Sequence, residues 1–141
     1  MSIIYNNAKA KIASNIDLEL DDIRVMLLKN SYVADATHVY VSEVDPVANE
    51  IEGTNYTRKE LANKAVTKND VTNIASFTAN ATTWSGLNAG TIYGIIIYKH
   101  INANDAYNEL IVYVTSNNLP LITNGSDVTI NWDTEGILNF A

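Results

Sequence analysis

The residue types best suited to acid–base chemistry in this sequence are its two histidines, His38 and His100. A catalytic histidine needs a nucleophile or a carboxylate within hydrogen-bond reach, and neither histidine has an evident local partner. No Gly-x-Ser-x-Gly elbow, phosphate-binding glycine loop, His-Glu-x-x-His motif or dinucleotide fingerprint occurs. Distant residues can still assemble a triad, because chain order does not forbid one. We interpret both histidines as structural and predict that the protein is not an enzyme.

One acidic set has the residue types to hold a cation: Asp17, Glu19, Asp21 and Asp22. Carboxylates two residues apart on a strand share a face, and hard cations bind several oxygen ligands. The central glycine and terminal glutamate of an EF-hand loop are not at their places, however. We favour a solvated strand face that discourages edge-to-edge pairing over a calcium site. We therefore predict no metal and no cofactor.

Aromatic residues are the other candidates for recognition, with eight tyrosines and two tryptophans in the chain. Trp84 and Trp132 are predicted to lie in the core. Exposed tyrosines are enriched at protein interfaces and also form platforms for sugars, and the sequence does not separate these two uses. Ordinary loop packing stays open as a third interpretation. By loop position and side-chain type, the candidate interface residues are Tyr32, Tyr40, Tyr56, Arg58 and Tyr107.

The charge balance limits the classes of partner. Nine Lys and Arg face 16 Asp and Glu, which gives a net charge of −7. Duplex binding and adsorption to anionic membranes both need an excess of basic residues, so we expect neither partner. The nearly apolar run at residues 92–98 is far shorter than the ~20 residues that span a bilayer. Residues 1–7 lack the basic and apolar regions of a signal peptide, so we expect synthesis in a cytoplasm.

The elements that must position these residues are predicted to be mainly strands, because the dominant hydrophobic period is two. Asn, Asp and Gly punctuate the alternating runs, and about eight or nine short strands result. One or two short helices are expected, at residues 5–13 and after a capping box at residues 57–60. The predicted strands span residues 16–20, 23–28, 39–44, 71–79, 91–101, 110–114, 128–132 and 136–140, with a short extended piece at 50–52 and extended chain at 65–67.

The segment 91–101 is apolar on both faces, which predicts a strand covered on both sides at the centre of a sheet. Gly94 inside it predicts close approach by a bulky neighbour. The chain has 141 residues and no cysteine, so packing and backbone hydrogen bonds must hold one core without disulfides. We predict a single domain, residues 1–141, with an all-β fold: an antiparallel β-sandwich with a jelly-roll-like arrangement.

Short pieces along essentially the whole chain resemble a family of small structural proteins of tailed-phage particles. Each piece is degenerate, but their order is fairly specific. The chain departs from the family after Thr57, where glycines are usual and this sequence has Arg58-Lys-Glu. We expect a helical turn there in place of a glycine loop. The matching pieces are Tyr5-Asn-Asn-Ala-Lys, Ile16-Asp-Leu, Asp22-Ile-Arg-Val-Met-Leu, Tyr32 with His38, Asn49-Glu-Ile, Gly53-Thr-Asn-Tyr-Thr, Leu61-Ala-Asn-Lys, Val66-Thr, Thr83-Trp-Ser, Ile97-Tyr-Lys, Glu109-Leu-Ile, Thr129-Ile-Asn-Trp and Gly136-Ile-Leu.

The resemblance implies a virion component with a compact β-fold, made in the host cytoplasm and built into the particle. Its implied position is the outer capsid surface, as a cement or decoration protein on the major capsid protein. Self-association is also implied, with a trimer at local threefold axes as the leading arrangement. A place in the neck, the tail or a fibre is the alternative, and a carbohydrate-binding module is the second alternative. None of the matching residues is implied to be catalytic.

Overall fold

The longest strands of the chain pair into one antiparallel sheet of five strands. The structure, a computed structural model, describes residues 2–115 and 118–141. Both edge strands of this sheet are short, whereas the strand at its centre is buried throughout from Gly94 to Tyr98. The prediction of a central strand covered on both faces over residues 91–101 is therefore confirmed for residues 94–98 only, because residues 91–92 pair in another sheet and Tyr93 and Ile101 are exposed. The order across the sheet is β1 (Ser2–Ile4), β9 (Glu109–Val114), β8 (Gly94–Lys99), β2 (Ile23–Leu28) and β3 (Lys59–Glu60).

Three smaller antiparallel sheets complete the fold, and they contain the remaining strands. All pairings are antiparallel, which confirms the predicted all-β class. The strand order does not confirm a jelly-roll arrangement, which stays a prediction. The described residues form twelve strands, more than the eight or nine predicted, because several are only two or three residues long. The small sheets pair β4 (Ala65–Asn69) with β5 (Ile74–Thr78) and β12 (Leu138–Phe140), β6 (Thr82–Trp84) with β11 (Val128–Ile130), and β7 (Thr91–Ile92) with β10 (Leu121–Ile122).

A layer of aromatic side chains fixes the spacing at one side of the central strand. A Cβ atom on Gly94 would lie 2.6 Å from the hydroxyl oxygen of Tyr113, on the neighbouring strand β9. The close approach predicted at this glycine is thus confirmed. The Tyr113 ring meets the Tyr32 ring edge to face at 5.2 Å between centroids, and the Tyr32 and Tyr5 hydroxyls are hydrogen-bonded at 2.7 Å. Burial and this hydrogen bond raise the pKa of Tyr5 well above its ordinary value.

Two tryptophans occupy different depths. Trp84 is fully buried, and its indole N–H donates to the carbonyl oxygen of Thr57 at 2.7 Å. Trp132 is only partly buried, and its indole N–H donates to the carbonyl oxygen of Asn80 at 3.0 Å. The core position predicted for both residues is confirmed for Trp84, whereas Trp132 packs against the core from its edge.

Helix is scarce among the described residues. Helix α1 (Asn6–Lys11) lies inside the predicted segment 5–13 and buries Ala8 against the core. A 3-10 helix, Val41–Val44, runs into the short helix α2 (Pro46–Asn49). None of the helices in the described ranges has the length and apolar content to cross a membrane.

The strand predicted at residues 16–20 is wrong, because this segment forms a turn. The Asp17 carboxylate accepts hydrogen bonds from the backbone N–H groups of Glu19 and Leu20, both at 3.0 Å. Ile16 and Leu18 are buried, but Leu20 is 84% exposed, so the three do not share one face. An aspartate that satisfies backbone donors two and three residues ahead stabilises a turn over a strand.

Two further predictions are corrected. The strand expected at residues 39–44 is largely the 3-10 helix, because the Glu43 carboxylate accepts hydrogen bonds from the N–H groups of Val39 and Tyr40. The helical turn expected at residues 57–60 is absent from the structure. Lys59 and Glu60 instead form β3, where they pair with Val25 and Arg24 of β2.

The strand predicted at residues 71–79 begins only at Ile74. The Asn69 side chain accepts hydrogen bonds from the N–H groups of Val71 and Thr72, which makes residues 70–73 the turn of a hairpin. The extended chain predicted at residues 65–67 is confirmed as part of β4.

Candidate interaction surface

A single arginine joins three separate segments of the chain. Arg58 donates from Nε and Nη2 to the two carboxylate oxygens of Glu50, both at 2.8 Å. It also donates from Nη1 and Nη2 to the two oxygens of Asp105, at 2.7 and 3.0 Å. The Arg58 side chain is 22% exposed, and Glu50 and Asp105 are 14% and 23% exposed. Two bidentate pairs at this depth fix both carboxylates in position and direction.

Two tyrosines complete the surroundings of Arg58. The Tyr56 hydroxyl donates to Glu50 at 2.6 Å and accepts from the N–H of Leu27 at 3.1 Å. The guanidinium carbon of Arg58 lies 5.5 Å from the centre of the Tyr98 ring. We call Glu50, Tyr56, Arg58, Tyr98 and Asp105 the arginine cluster.

Hydrogen bonding in the arginine cluster shifts its ionisation. Burial opposes the charge on Asp105, but hydrogen bonds from Arg58 and Asn108 outweigh burial and lower the pKa of Asp105 below its ordinary value. Burial likewise opposes the charge on Arg58, and the two carboxylates reverse that effect and raise its pKa. Burial and the charge of Glu50 raise the pKa of Tyr56. At neutral pH the Asp105 carboxylate and the Arg58 guanidinium are therefore charged, beside the neutral phenols of Tyr56 and Tyr98.

A buried amide extends this framework into the loop before β9. The Asn108 side chain accepts from the N–H of Ile101 at 2.7 Å and of Asn102 at 3.3 Å. It donates to the carbonyl oxygen of Asn102 and to Asp105, both at 3.0 Å. Because Asn108 is 1% exposed, its four hydrogen bonds are made away from solvent. The loop 100–108 is thus fixed both from Asn108 and from Arg58.

Backbone hydrogen bonds join this loop to the segment that contains the 3-10 helix. Val41 N–H donates to the carbonyl of Asn108 at 2.9 Å, and Ser42 N–H donates to that of Asp105 at 3.1 Å. Tyr40 forms an isolated antiparallel bridge with Glu109. We call residues 38–50 and 100–109 together the loop end of the molecule.

The loop end presents apolar side chains to solvent. Of ten large apolar residues that are exposed in the described chain, four belong to it. The exposed fractions are 39% for Tyr40, 93% for Val47, 52% for Ile101 and 59% for Tyr107. Because these side chains lie on two segments that hydrogen bonds join, the loop end is a candidate binding surface.

The five predicted interface residues divide into three groups. Tyr40 and Tyr107 lie exposed on the loop end, whereas Tyr56 and Arg58 lie beneath it in the arginine cluster. Tyr32 is buried against Tyr5 and Tyr113 and belongs to the aromatic layer near β8. Sequence reasoning missed the residues that hold the loop end in place: Glu50, Asp105 and Asn108. The Asn- and Asp-rich run 102–108 was the available signal, since such residues bond to their own backbone in turns.

The acidic set at residues 17–22 is not gathered around one point. Asp22 pairs with Arg24 at 2.8 Å, Asp21 pairs with Lys99 at 2.9 Å, and Glu19 accepts from the N–H of Val66 at 2.7 Å. Across residues 2–115 and 118–141, no group of three or more His, Asp or Glu side chains has the arrangement of a metal site. The calcium interpretation therefore finds no geometric support in the described residues.

The two histidines are the first residues of the two segments of the loop end. The Nδ1 atoms of His38 and His100 are buried, and neither makes a hydrogen bond within the described residues. The His100 ring meets the Tyr98 ring edge to face at 6.4 Å between centroids. Neither ring is seen to activate a nucleophile.

A groove of about 630 Å³ lies elsewhere on the surface, and more of its lining is apolar than polar. It is lined by residues 12–19 together with Val66 and Phe140, and it shares no residue with the loop end. Its lining contains two carboxylates, Asp17 and Glu19, whose oxygens already accept backbone hydrogen bonds. The loop end, which combines exposed aromatic rings with a fixed polar base, is the stronger candidate for recognition.

Comparison with known proteins adds no relative to this description. No protein-family model, no curated protein and no solved structure matches the chain.

Proposed function

We propose that this chain is a structural protein of a tailed-phage particle that binds the outer surface of the capsid shell and stabilises it. Its partners under this proposal are the major capsid protein and other copies of itself, with a trimer as the leading arrangement. The basis of the phage context is the resemblance of the ordered sequence pieces to small phage structural proteins. The exposed side chains of the loop end support a binding function over a catalytic one.

The observation that carries the proposal is the placement of Tyr40 and Tyr107 on loops that are fixed from below. Tyrosine supplies a large, amphipathic contact area with few rotatable bonds, which suits protein interfaces. The arginine cluster and Asn108 make at least eight side-chain hydrogen bonds that tie down the segments on which these rings lie. A surface that is already ordered loses less conformational entropy on binding.

A protein with such a binding surface would stabilise a capsid shell because the shell is symmetric. A capsid repeats the same site many times, and a self-associating protein would engage several of these sites at once. Linked contacts of modest strength then hold the shell together far more tightly than each contact alone. The contribution to shell stability therefore grows with the number of sites occupied.

The proposal is tested on particles of the phage that encodes the chain. Particles that lack the protein should lose their DNA at lower temperature than wild-type particles, and added protein should restore the wild-type value. The double variant Tyr40→Ala/Tyr107→Ala should restore it poorly. A matched control, Val71→Ala/Ile122→Ala, removes two exposed apolar side chains outside the loop end and should restore it fully. Equal heat resistance with and without the protein would refute the cementing role.

Antibody labelling of intact particles locates the protein independently. Label distributed over the head supports the proposal. Label confined to the neck, tail or fibres would replace the capsid position with the alternative virion position. The absence of label from purified particles would reject both positions.

A further inference from the structure

We infer that the loop end docks onto a protein surface that carries Lys and Arg side chains around an apolar depression. This inference rests on the proposed function in one respect, because it takes the loop end as the binding surface. What it adds is the chemical class of the partner. It is carried by the coincidence of negative charge, exposed apolar side chains and a fixed backbone in the same two segments.

The charged side chains of the loop end are all acidic. The loop end contains five carboxylates and no Lys or Arg of its own, and the sole neighbouring guanidinium in the cluster is that of Arg58. With neutral histidines, the loop end and Arg58 together carry a net charge of −4, since five carboxylates face one guanidinium, and this is more than half of the −7 of the whole chain. No Lys or Arg occurs anywhere in residues 30–57 or 100–141. The five carboxylates are Glu43, Asp45, Glu50, Asp105 and Glu109.

Arg58 does not cancel the negative charge that a partner would meet at the loop end. Its guanidinium is engaged by four carboxylate oxygens and is 22% exposed. The cluster of Arg58, Glu50 and Asp105 is therefore one net negative charge beneath the surface. This charge adds to that of the other carboxylates of the loop end, and a negative surface attracts cations on a partner.

Apolar contact must accompany the charge. Tyr40, Val47, Ile101 and Tyr107 are exposed in the same segments, and an interface that buried them would remove their apolar area from water. A purely ionic partner would leave this area exposed. The fitting partner therefore combines basic side chains with a depression that receives the two tyrosine rings.

A second copy of the chain does not fit this description. Two loop ends placed face to face would bring −4 against −4, and like charges facing each other across an interface are costly. Self-association of the chain, as in the proposed trimer, must then use another face. The loop end stays available to a different protein.

The test uses the purified full-length protein and a synthetic probe. The probe is a soluble ten-residue peptide with six arginines, two leucines and two glycines, titrated while backbone amide shifts are followed by NMR. We expect the largest shift changes in residues 38–50 and 100–109. Two comparison peptides separate the contributions, one with glutamate in place of arginine and one with glycine in place of leucine. Each should bind at least tenfold more weakly than the probe.

Matched variants locate the charge and the apolar contact. Asp45→Asn keeps a residue type that tolerates the left-handed backbone found there, and it should weaken the probe several-fold. Asp70→Asn removes an exposed carboxylate outside the loop end and should leave affinity within twofold. Tyr40→Ala/Tyr107→Ala should weaken binding at least tenfold, whereas Val71→Ala/Ile122→Ala should not. Unchanged melting temperatures would show that each variant is folded.

Several outcomes would overturn the inference. Shift changes centred outside residues 38–50 and 100–109, equal binding of the leucine-free peptide, or equal binding of the Tyr40→Ala/Tyr107→Ala variant would each do so. The result is independent of the phage proposal. If purified particles are not labelled but the probe binds the loop end, the virion role is rejected and the docking surface is kept. If particles are labelled but the probe does not bind the loop end, the docking surface is rejected and the virion role is kept.

Discussion

At the scale of single residues, Arg58 links parts of the chain that are distant in sequence. It satisfies two carboxylates that approach from different segments, Glu50 beside β2 and Asp105 in the loop before β9. Removing one member of a mostly buried ion cluster costs more than the cluster contributes as a whole, because the remaining charges lose their partner. Here the remaining charges are two carboxylates held near each other.

We therefore predict that Arg58→Ala lowers the free energy of unfolding by about 2–4 kcal/mol at neutral pH, measured by urea denaturation. The loss should shrink as the pH falls below about 4, because unfolded Asp then binds protons and the lowered pKa of Asp105 no longer favours the fold as strongly. Arg24→Ala is the matched control, because Arg24 pairs with Asp22 alone and both side chains are 32% exposed. Its cost should stay at or below about 1 kcal/mol. Equal costs for the two variants would contradict the structural role of Arg58.

Gly94 has a steric consequence of a different kind. An added Cβ would lie within 2.8 Å of the ring carbon Cζ of Tyr113, in the best-paired part of the sheet. Overpacking a core in this way typically costs about 1–3 kcal/mol. We predict that Gly94→Ala lowers the thermal midpoint accordingly. In the variant Tyr113→Ala the same change should cost much less, and additive effects of the two changes in a double-mutant cycle would contradict the contact.

At the scale of elements, the loop 100–108 depends on one buried amide. Asn108→Ala would leave the N–H groups of Ile101 and Asn102 without their acceptor and Asp105 without one donor. Each unsatisfied buried group costs about 1–3 kcal/mol, so we predict a loss of at least that size. Amide hydrogen exchange at Ile101 and Asn102 should accelerate. Asn104→Ala removes a single exposed bond to the N–H of Ala106 and should leave both amides protected.

The elements also show which parts of the fold were predictable. The strands around 23–28, 91–101 and 110–114 were predicted because their side chains meet the core on both faces, and apolar runs of strand length record that burial directly. Residues 16–20 alternate just as regularly. Their alternation comes from a turn in which Asp17 takes the backbone donors, an interaction that the hydrophobic period does not register.

The same limit applies to the binding surface. Exposed Tyr40 and Tyr107 were chosen from residue type and loop position. Their support could not be predicted, because Arg58 lies 47 residues from Asp105 in the chain and meets it only through the order of strands in the sheet. Local pattern also favoured a capping box at residues 57–60. The pairing of β3 with β2 outweighs that preference and directs Arg58 toward Glu50.

At the scale of the whole molecule, stability is linked to pH through carboxylates on several segments. The backbone N–H groups of Tyr40 and Val39 lower the pKa of Glu43. The backbone N–H of Thr37 lowers the pKa of Asp35. At Asp21 and Asp105, burial opposes ionisation, but hydrogen bonds from Lys99 and Arg58 respectively outweigh it and lower both pKa values. A carboxyl with a lowered folded-state pKa stabilises the fold above its unfolded value, and this contribution is lost as pH falls through the folded value.

We therefore predict that the urea midpoint is nearly constant from pH 7 to about pH 5 and falls steadily below about pH 4, where unfolded Asp and Glu begin to bind protons. Asp105→Asn should start from a lower midpoint at pH 7 and decline less steeply, since it no longer releases a proton on folding. The two curves should approach each other as the pH falls through the lowered pKa of Asp105. Parallel curves over the whole range would mean that Asp105 does not contribute to this linkage, and that the arginine cluster stabilises the loop end by packing alone.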